Sequence, residues 1–210
     1  MKVTANVTNR VLKAMEQSLS GNSQFRKDRE FLIQIRQDEQ TRFVALDGRA
    51  CLIHRTVSSS FQKQQKPVDL SVTWADFQKA VAANAKNQNQ VTVVEWDGTE
   101  LRFDGHKVPF VTKSPLYMGF FFEVEYDIRS TMPVVDPAYL GAFVRAYRIL
   151  ANDNKAFPTI MVANELAPVM VMMPTSDTVG FIMPRHPWID MGQKTMAQEI
   201  KSKIQTWLDE

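Results

Sequence analysis

One order of local signals returns three times along this chain of 210 residues, and such a recurrence restricts the fold more than any single motif. The first pass opens on an extended start at residues 2–5. It runs into residues 8–20, where Val11, Leu12, Met15 and Leu19 recur at helical spacing, and then into three β-rich runs, FLIQIRQ, RFVALDG and ACLIHRTV. Asp47-Gly48 parts the last two, as the tight turn of a hairpin requires. The polar stretches 21–30 and 58–67 read as a loop and a connector.

The second pass repeats the first in outline. VDLSVTW reads as a strand, and Thr73 with Asp76 has the form of a capping box in which Asp replaces the usual Glu. Phe77, Val81 and Ala85 then repeat at i, i+4 and i+8 through residues 75–87, and VTVVEW, TELRF and HKVPF follow across Asp97-Gly98 and Asp104-Gly105. The third pass begins at GFFFEVEYDI and reaches Asp136-Pro137, an N-cap with proline in the first helical position. Leu140, Phe143, Val144 and Tyr147 give the helix 137–151 its apolar face, and FPTIMVA, APVMVMMP and TVGFIMP are its strands. Beyond them, Met196, Ile200, Ile204 and Trp207 mark an amphipathic helix over 193–208 with no counterpart in the passes.

Composition removes several classes. With 44% hydrophobic and 23% charged residues the chain can bury a core, and a net charge of +2 excludes a polycationic tail or an acidic solvating protein. The single cysteine, Cys51, cannot form an intramolecular disulfide, so a reducing compartment is expected. The start MKVTANVTNR has no apolar core of a signal peptide, and the apolar stretches 116–124 and 168–174 are too short to span a bilayer. A soluble cytoplasmic protein without a membrane partner is the expectation.

Charge is uneven between elements. The three predicted helices carry Arg10, Lys13, Lys79, Lys86, Arg145 and Arg148 against only Glu16 and Asp76. Arg10, Lys13 and Gln17 stand at i, i+3, i+7, Lys79 and Lys86 at i, i+7, and Arg145 and Arg148 at i, i+3. Each set is a polar stripe that can face phosphates while the opposite stripe packs on a sheet. Contacts of that kind are independent of base sequence and sensitive to salt. On any one helix the same pattern also describes a merely solvated face.

Catalytic signals are sparse. Cys51 with His54 is half of a zinc pattern and lacks a second ligand pair, while His106 and His186 stand apart. Glu123 and Glu125 share one face of a predicted strand, the minimum for a metal-dependent hydrolase, with no third ligand nearby. A Walker loop, a Gly-x-Ser-x-Gly elbow and a His-Glu-x-x-His helix are all missing. No cofactor or metal is expected, and an enzyme is the less favoured class.

Three passages resemble the DNA sliding clamps, in particular the bacterial DNA polymerase III beta subunit. MKVTANVTNRVLKAM is similar to the clamp's first strand and helix, and TWADFQKAVAANAKNQNQVTVVEWDGTELRFDG to its second helix and following strand pair. ELAPVMVMMPTSDTVGFIMP is similar to the closing segment whose last strand ends in Met-Pro. The resemblance implies a clamp fold, α+β, with repeated β-α-β-β-β units. It also implies a processivity factor without chemistry of its own: a homo-oligomeric ring whose helices face duplex DNA and which binds a DNA polymerase and a clamp loader.

Carried over by position, the resemblance puts Arg10, Lys13, Lys79, Lys86, Arg145 and Arg148 against DNA. It puts Phe181, Met183 and Pro184 at an apolar cleft for partner peptides. The expected organisation is a clamp-like unit at 1–113, a shortened one at 114–190 and the C-terminal helix at 191–210. Two departures stand out: the family has four or six passes where three are countable here, and 26 residues follow Pro184. In that tail Gln205 and Leu208 have the spacing of a clamp-binding peptide, but Asp209 replaces its aromatic residue. The alternative is a clamp-fold interaction protein that binds replication proteins without encircling DNA.

Overall fold

The computed structural model describes residues 2–19, 28–36, 40–60, 66–84, 87–116, 135–163 and 167–184. The first pass comprises β1 (Val3–Thr8), α1 (Asn9–Ser18), β2 (Glu30–Ile35), β3 (Gln40–Leu46) and β4 (Ala50–Ser60). The second comprises β5 (Val68–Thr73), α2 (Trp74–Asn84), β6 (Val91–Trp96), β7 (Leu101–Phe103) and β8 (His106–Val108), with a short β9 (Val111–Lys113) after it. The third supplies α3 (Pro137–Ala151), β10 (Thr159–Met161), β11 (Val169–Met172) and β12 (Thr178–Ile182). Its expected leading strand at 119–128 and the helix at 193–208 lie outside the described residues.

The passes complete one another by exchange. β1 pairs with β6 and β2 with β5, so the first strand of each pass lies antiparallel to the strand that follows the other pass's helix. Neither pass closes its sheet alone, which is why the pattern has to repeat. The third pass joins through β12, whose Thr178–Ile182 pairs with His54–Ala50 of β4. Further along the same edge, Ser58 and Ser60 of β4 pair with Ala5 and Thr4 of β1. The connector expected from residue 58 onward therefore begins later, because Ser58–Ser60 find a strand partner that no local signal reveals.

The turn dipeptides behave as read. Asp104 and Gly105, at φ of 47° and 80°, both lie in the left-handed region, as the two-residue turn between β7 and β8 demands. Thr8 accepts a hydrogen bond from the Val11 amide at the start of α1, and Asp136 caps α3 through the Ala138 amide. In the box before α2, Thr73 Oγ1 accepts the Asp76 amide at 3.2 Å and donates to the Asp76 carboxylate at 2.8 Å.

The three helices among the described residues cover one face of the sheet. Leu12 and Met15 of α1, Phe77 and Val81 of α2, and Tyr139 and Phe143 of α3 share a single core with Phe31, Ile33, Phe43 and Leu52 from the strands. Phe31 stacks on Phe77 with ring centroids 4.0 Å apart, fixing α2 over β2. α1 is the central helix, packed on α3 and more lightly on α2. Six of its ten residues are buried, which leaves only a narrow solvent stripe.

Candidate nucleic-acid face and partner groove

Because the helices turn their apolar sides to one core, their solvent sides form the layer opposite the sheet. Arg10 and Lys13 lie on the solvent stripe of α1, Lys79 is exposed on α2 and Arg145 is exposed on α3. Lys86 falls outside the described residues.

Each of these cations has local company. Lys13 Nζ sits 2.6 Å from Glu16 Oε2, and the other oxygen of Glu16 accepts from Gln78 Nε2 at 3.3 Å, linking α1 to α2. Lys79 Nζ lies 3.0 Å from Asp76, with 78% of its side chain exposed. The Thr73 hydroxyl and then the Lys79 ammonium hold the Asp76 carboxyl below its usual range. Exposed i, i+3 pairs contribute only about 0.2–0.5 kcal/mol, less than a charge-assisted phosphate contact, so they leave the ammonium groups available. Arg148 is different. Its Nε donates to the Ala156 carbonyl at 3.2 Å and its guanidinium lies 4.7 Å from the Phe157 ring centroid, so it braces the chain leaving α3.

One positioning element has no simple sequence signature. Asn9 is buried, and its Nδ2 donates to the carbonyls of Asn84 and Asn87 at 2.6 and 2.9 Å while its Oδ1 accepts from Thr92 at 2.5 Å. The amides of Asn9 and Arg10 donate to Gln90 and Gln88, and Arg10 also donates to Asn89 Oδ1 at 2.5 Å. The polar run 87–90 thus satisfies the free amides at the start of α1 and orients Arg10. No motif in the sequence marks this run.

The far face of the sheet is built by register. Leu46, Cys51, Phe181 and Met170 align across β3, β4, β12 and β11, and Leu32, Val44, Ile53, Val179 and Met172 form the next row. Leu32, Val44, Cys51, Ile53 and Phe181 make a second buried cluster, against which Leu46, Met170, Val179 and Met183 pack. Phe181 is fully buried and Pro184 is buried, whereas Met183 is half-buried and its amide donates to the Arg49 carbonyl at 2.7 Å. The next row turns polar, with Gln34, Arg42 and Arg55 in register.

Cys51 and His54 point to opposite faces of β4 and cannot share a metal. Cys51 is buried in the outer cluster, where burial pushes its thiol well above the usual range. His54 stacks on Phe43 of the inner core and its Nδ1 lies 2.9 Å from Thr178 Oγ1. Burial lowers its pKa to about 4, against a smaller opposing influence from Asp177. Among the described residues no three His, Cys, Asp or Glu side chains come together as metal ligands; Glu123, Glu125, Gln205 and Leu208 lie outside them. No helix among them is long and apolar enough to cross a membrane.

Comparison with solved structures decides the architecture. The DNA polymerase III subunit beta from Pseudomonas aeruginosa superposes with a TM-score of 0.56 over 88% of this chain and 66% of its own, at 10% sequence identity. The Helicobacter pylori beta clamp bound to a DNA ligase peptide gives 0.57 over 88% and 65%, at 11% identity. A polymerase III beta subunit from Eubacterium rectale gives 0.54 over 87% and 65%, at 11%. The chain has the sliding-clamp fold. No protein-family model and no curated protein sequence matches it, so the likeness is one of fold. The chain spans about two thirds of the length of those clamps, and its helices and strands follow the β-α-β-β-β plan of the clamp unit.

Proposed function

We propose that the protein is a sliding-clamp-like processivity factor that assembles with further copies around duplex DNA and tethers a DNA polymerase, without catalysing a reaction itself. The observation that carries this reading is the division of labour between the faces: basic residues on one helix layer, a second apolar cluster on the opposite side of the sheet. Arg10, Lys13, Lys79, Lys86, Arg145 and Arg148 meet phosphates, and Arg148 does so only as far as its hold on Ala156 and Phe157 permits. Residues 1–113 and 114–190 are the two clamp units, and 191–210 a separate helix.

Met183 at the rim, over Phe181 and beside Pro184, receives a linear peptide of the polymerase or clamp loader. The Helicobacter clamp with its ligase peptide supports a peptide as the type of partner. The test is topological. Protein loaded on a nicked circular plasmid slides off when the plasmid is linearised, if it encircles DNA; equal retention on circular and linear DNA refutes the proposal.

A second reading has its own support. Among the described residues the sheet ends in β8, β9 and β10, strands of three residues each, and edges that short pair weakly with another chain. On this reading the protein is a clamp-fold adaptor that binds replication proteins as a monomer. Light scattering at micromolar concentration separates the two: a stable monomer favours the adaptor, a discrete oligomer the ring.

A further inference from the structure

The chain that leaves α3 turns a ring to solvent. Among the described residues Phe157 is the one exposed aromatic side chain, 67% accessible. A lone exposed apolar group is ordinary on a protein surface, but this one is held in a fixed loop. Asn152 ends α3 in the left-handed conformation, and the Asp153 amide donates back to the Arg148 carbonyl at 3.2 Å. Asp153 then accepts twice: its carbonyl takes the Ala156 amide at 3.3 Å and its Oδ1 takes the Lys155 amide at 2.8 Å. Arg148 Nε closes the loop on the Ala156 carbonyl at 3.2 Å. Pro158 confines Phe157 itself to extended backbone.

The ring is backed on one side. The Arg148 guanidinium lies over it at 4.7 Å from the centroid, within cation–π range, and the accessibility of the ring leaves its other face to solvent. Its setting is cationic, since residues 145–157 hold Arg145, Arg148 and Lys155 against Asp153 alone. Asn152, Asn154 and Lys155 are exposed in the same loop, two amides and an ammonium that can meet the edges of a base and its phosphate. An aromatic face among cations suits single-stranded nucleic acid, because every base can stack on it while the charges hold the backbone. Bases paired in a duplex already stack on one another and offer the ring no face. An apolar side chain of a partner protein would cover the ring but would draw nothing from the three cations.

We infer that Phe157, backed by Arg148, stacks an unpaired base of single-stranded DNA. The inference rests on the DNA-facing helix layer proposed above and adds a second kind of contact to it. The helices meet the phosphates of the duplex, and the loop after α3 holds a base where one strand runs on alone, as the template does ahead of a polymerase. Stacking on a ring face selects an unpaired base without selecting its identity.

The experiment titrates the full chain into an oligothymidylate that carries one 2-aminopurine, and in parallel into a fluorescein-labelled blunt duplex. The expected result is quenching of the 2-aminopurine by the parent protein and by Phe157→Trp. For Phe157→Leu, which keeps apolar bulk and gives up the ring, single-strand affinity falls about tenfold while duplex affinity is unchanged. An unchanged thermal midpoint verifies that the Leu variant is folded. Equal single-strand affinity of the parent protein and Phe157→Leu overturns the assignment, as does a parent protein that leaves the 2-aminopurine unquenched. Equal weakening toward single strand and duplex also overturns it, since the ring would then serve paired DNA. Release from linearised plasmid is scored separately, so a failure of stacking does not count against encirclement.

Discussion

Tyr139, at the start of α3, donates its hydroxyl to Asp47 Oδ2 at 2.6 Å, joining the third pass to the β3–β4 turn 92 residues earlier in the chain. Both residues are buried, and the other oxygen of Asp47 accepts the amides of Arg49 and Ala50 at 3.1 and 3.0 Å. The carboxylate therefore shapes its own turn and anchors a helix from another pass. Burial, and then the Asp47 carboxylate, push the Tyr139 hydroxyl far above its usual range, so it remains a donor at any physiological pH.

Removing that hydroxyl takes one donor from a buried carboxylate. Tyr139→Phe is expected to lower stability by about 1–3 kcal/mol, measured as a reduced urea midpoint at unchanged slope. A midpoint equal to that of the parent protein excludes the anchor role.

Gly180 of β12 passes directly beneath Phe143 of α3. A Cβ built at this position lies 2.7 Å from Phe143 Cδ1 and closer still to Cε1, and Phe143 is fully buried. Gly180→Ala is expected to destabilise by about 1–3 kcal/mol through overpacking, and Phe143→Leu in the same chain to restore part of the stability. Additive effects of the two substitutions in a double-mutant cycle would show that the two positions are not in mutual contact.

His54 makes stability fall with acid. Its pKa of about 4 in the folded state lies below the unfolded value of about 6.5, so between those values the unfolded chain takes a proton that the native state refuses. Unfolding free energy should drop by about 3 kcal/mol from pH 7 to pH 4 on this account, with Asp177 and Arg55 the nearby charges that modulate it. His54→Gln should flatten that portion of the pH profile; an unchanged slope assigns the acid sensitivity elsewhere.

The helix layer makes a quantitative prediction for DNA. Arg10→Gln, Lys79→Gln and Arg145→Gln should each reduce the slope of log affinity against log salt by roughly 0.9 for every phosphate that the substituted side chain had neutralised, without altering base preference. Lys113→Gln is the control, since Lys113 pairs with Glu30 at the β9 edge, away from the helix layer. Equal reductions from all four substitutions, read by fluorescence anisotropy at several salt concentrations, would show that the charge effect is global.

Local signals fixed the elements. The spacing of Val11, Leu12 and Met15, the Asp-Gly turns at 47, 97 and 104, the Thr73–Asp76 box and the Asp136-Pro137 start all correspond to the observed helices, hairpins and caps, because each depends on neighbours within four residues. The end of β4 did not follow from such signals, since Ser58 and Ser60 become strand only through β1, more than fifty residues away. The apolar rows were legible as strand faces but not as a second buried cluster.

What the sequence determined by itself was the repeat, the amphipathic helices and the basic stripes, all consequences of side-chain period and backbone preference. The tertiary structure alone decided that Arg42 stands opposite Arg55, that Asn9 is held by the run 87–90, and that Cys51 and His54 face apart. The first two depend on which strand or loop lies beside which. That choice is made by burial summed over the whole sheet, a quantity that no short window of residues contains.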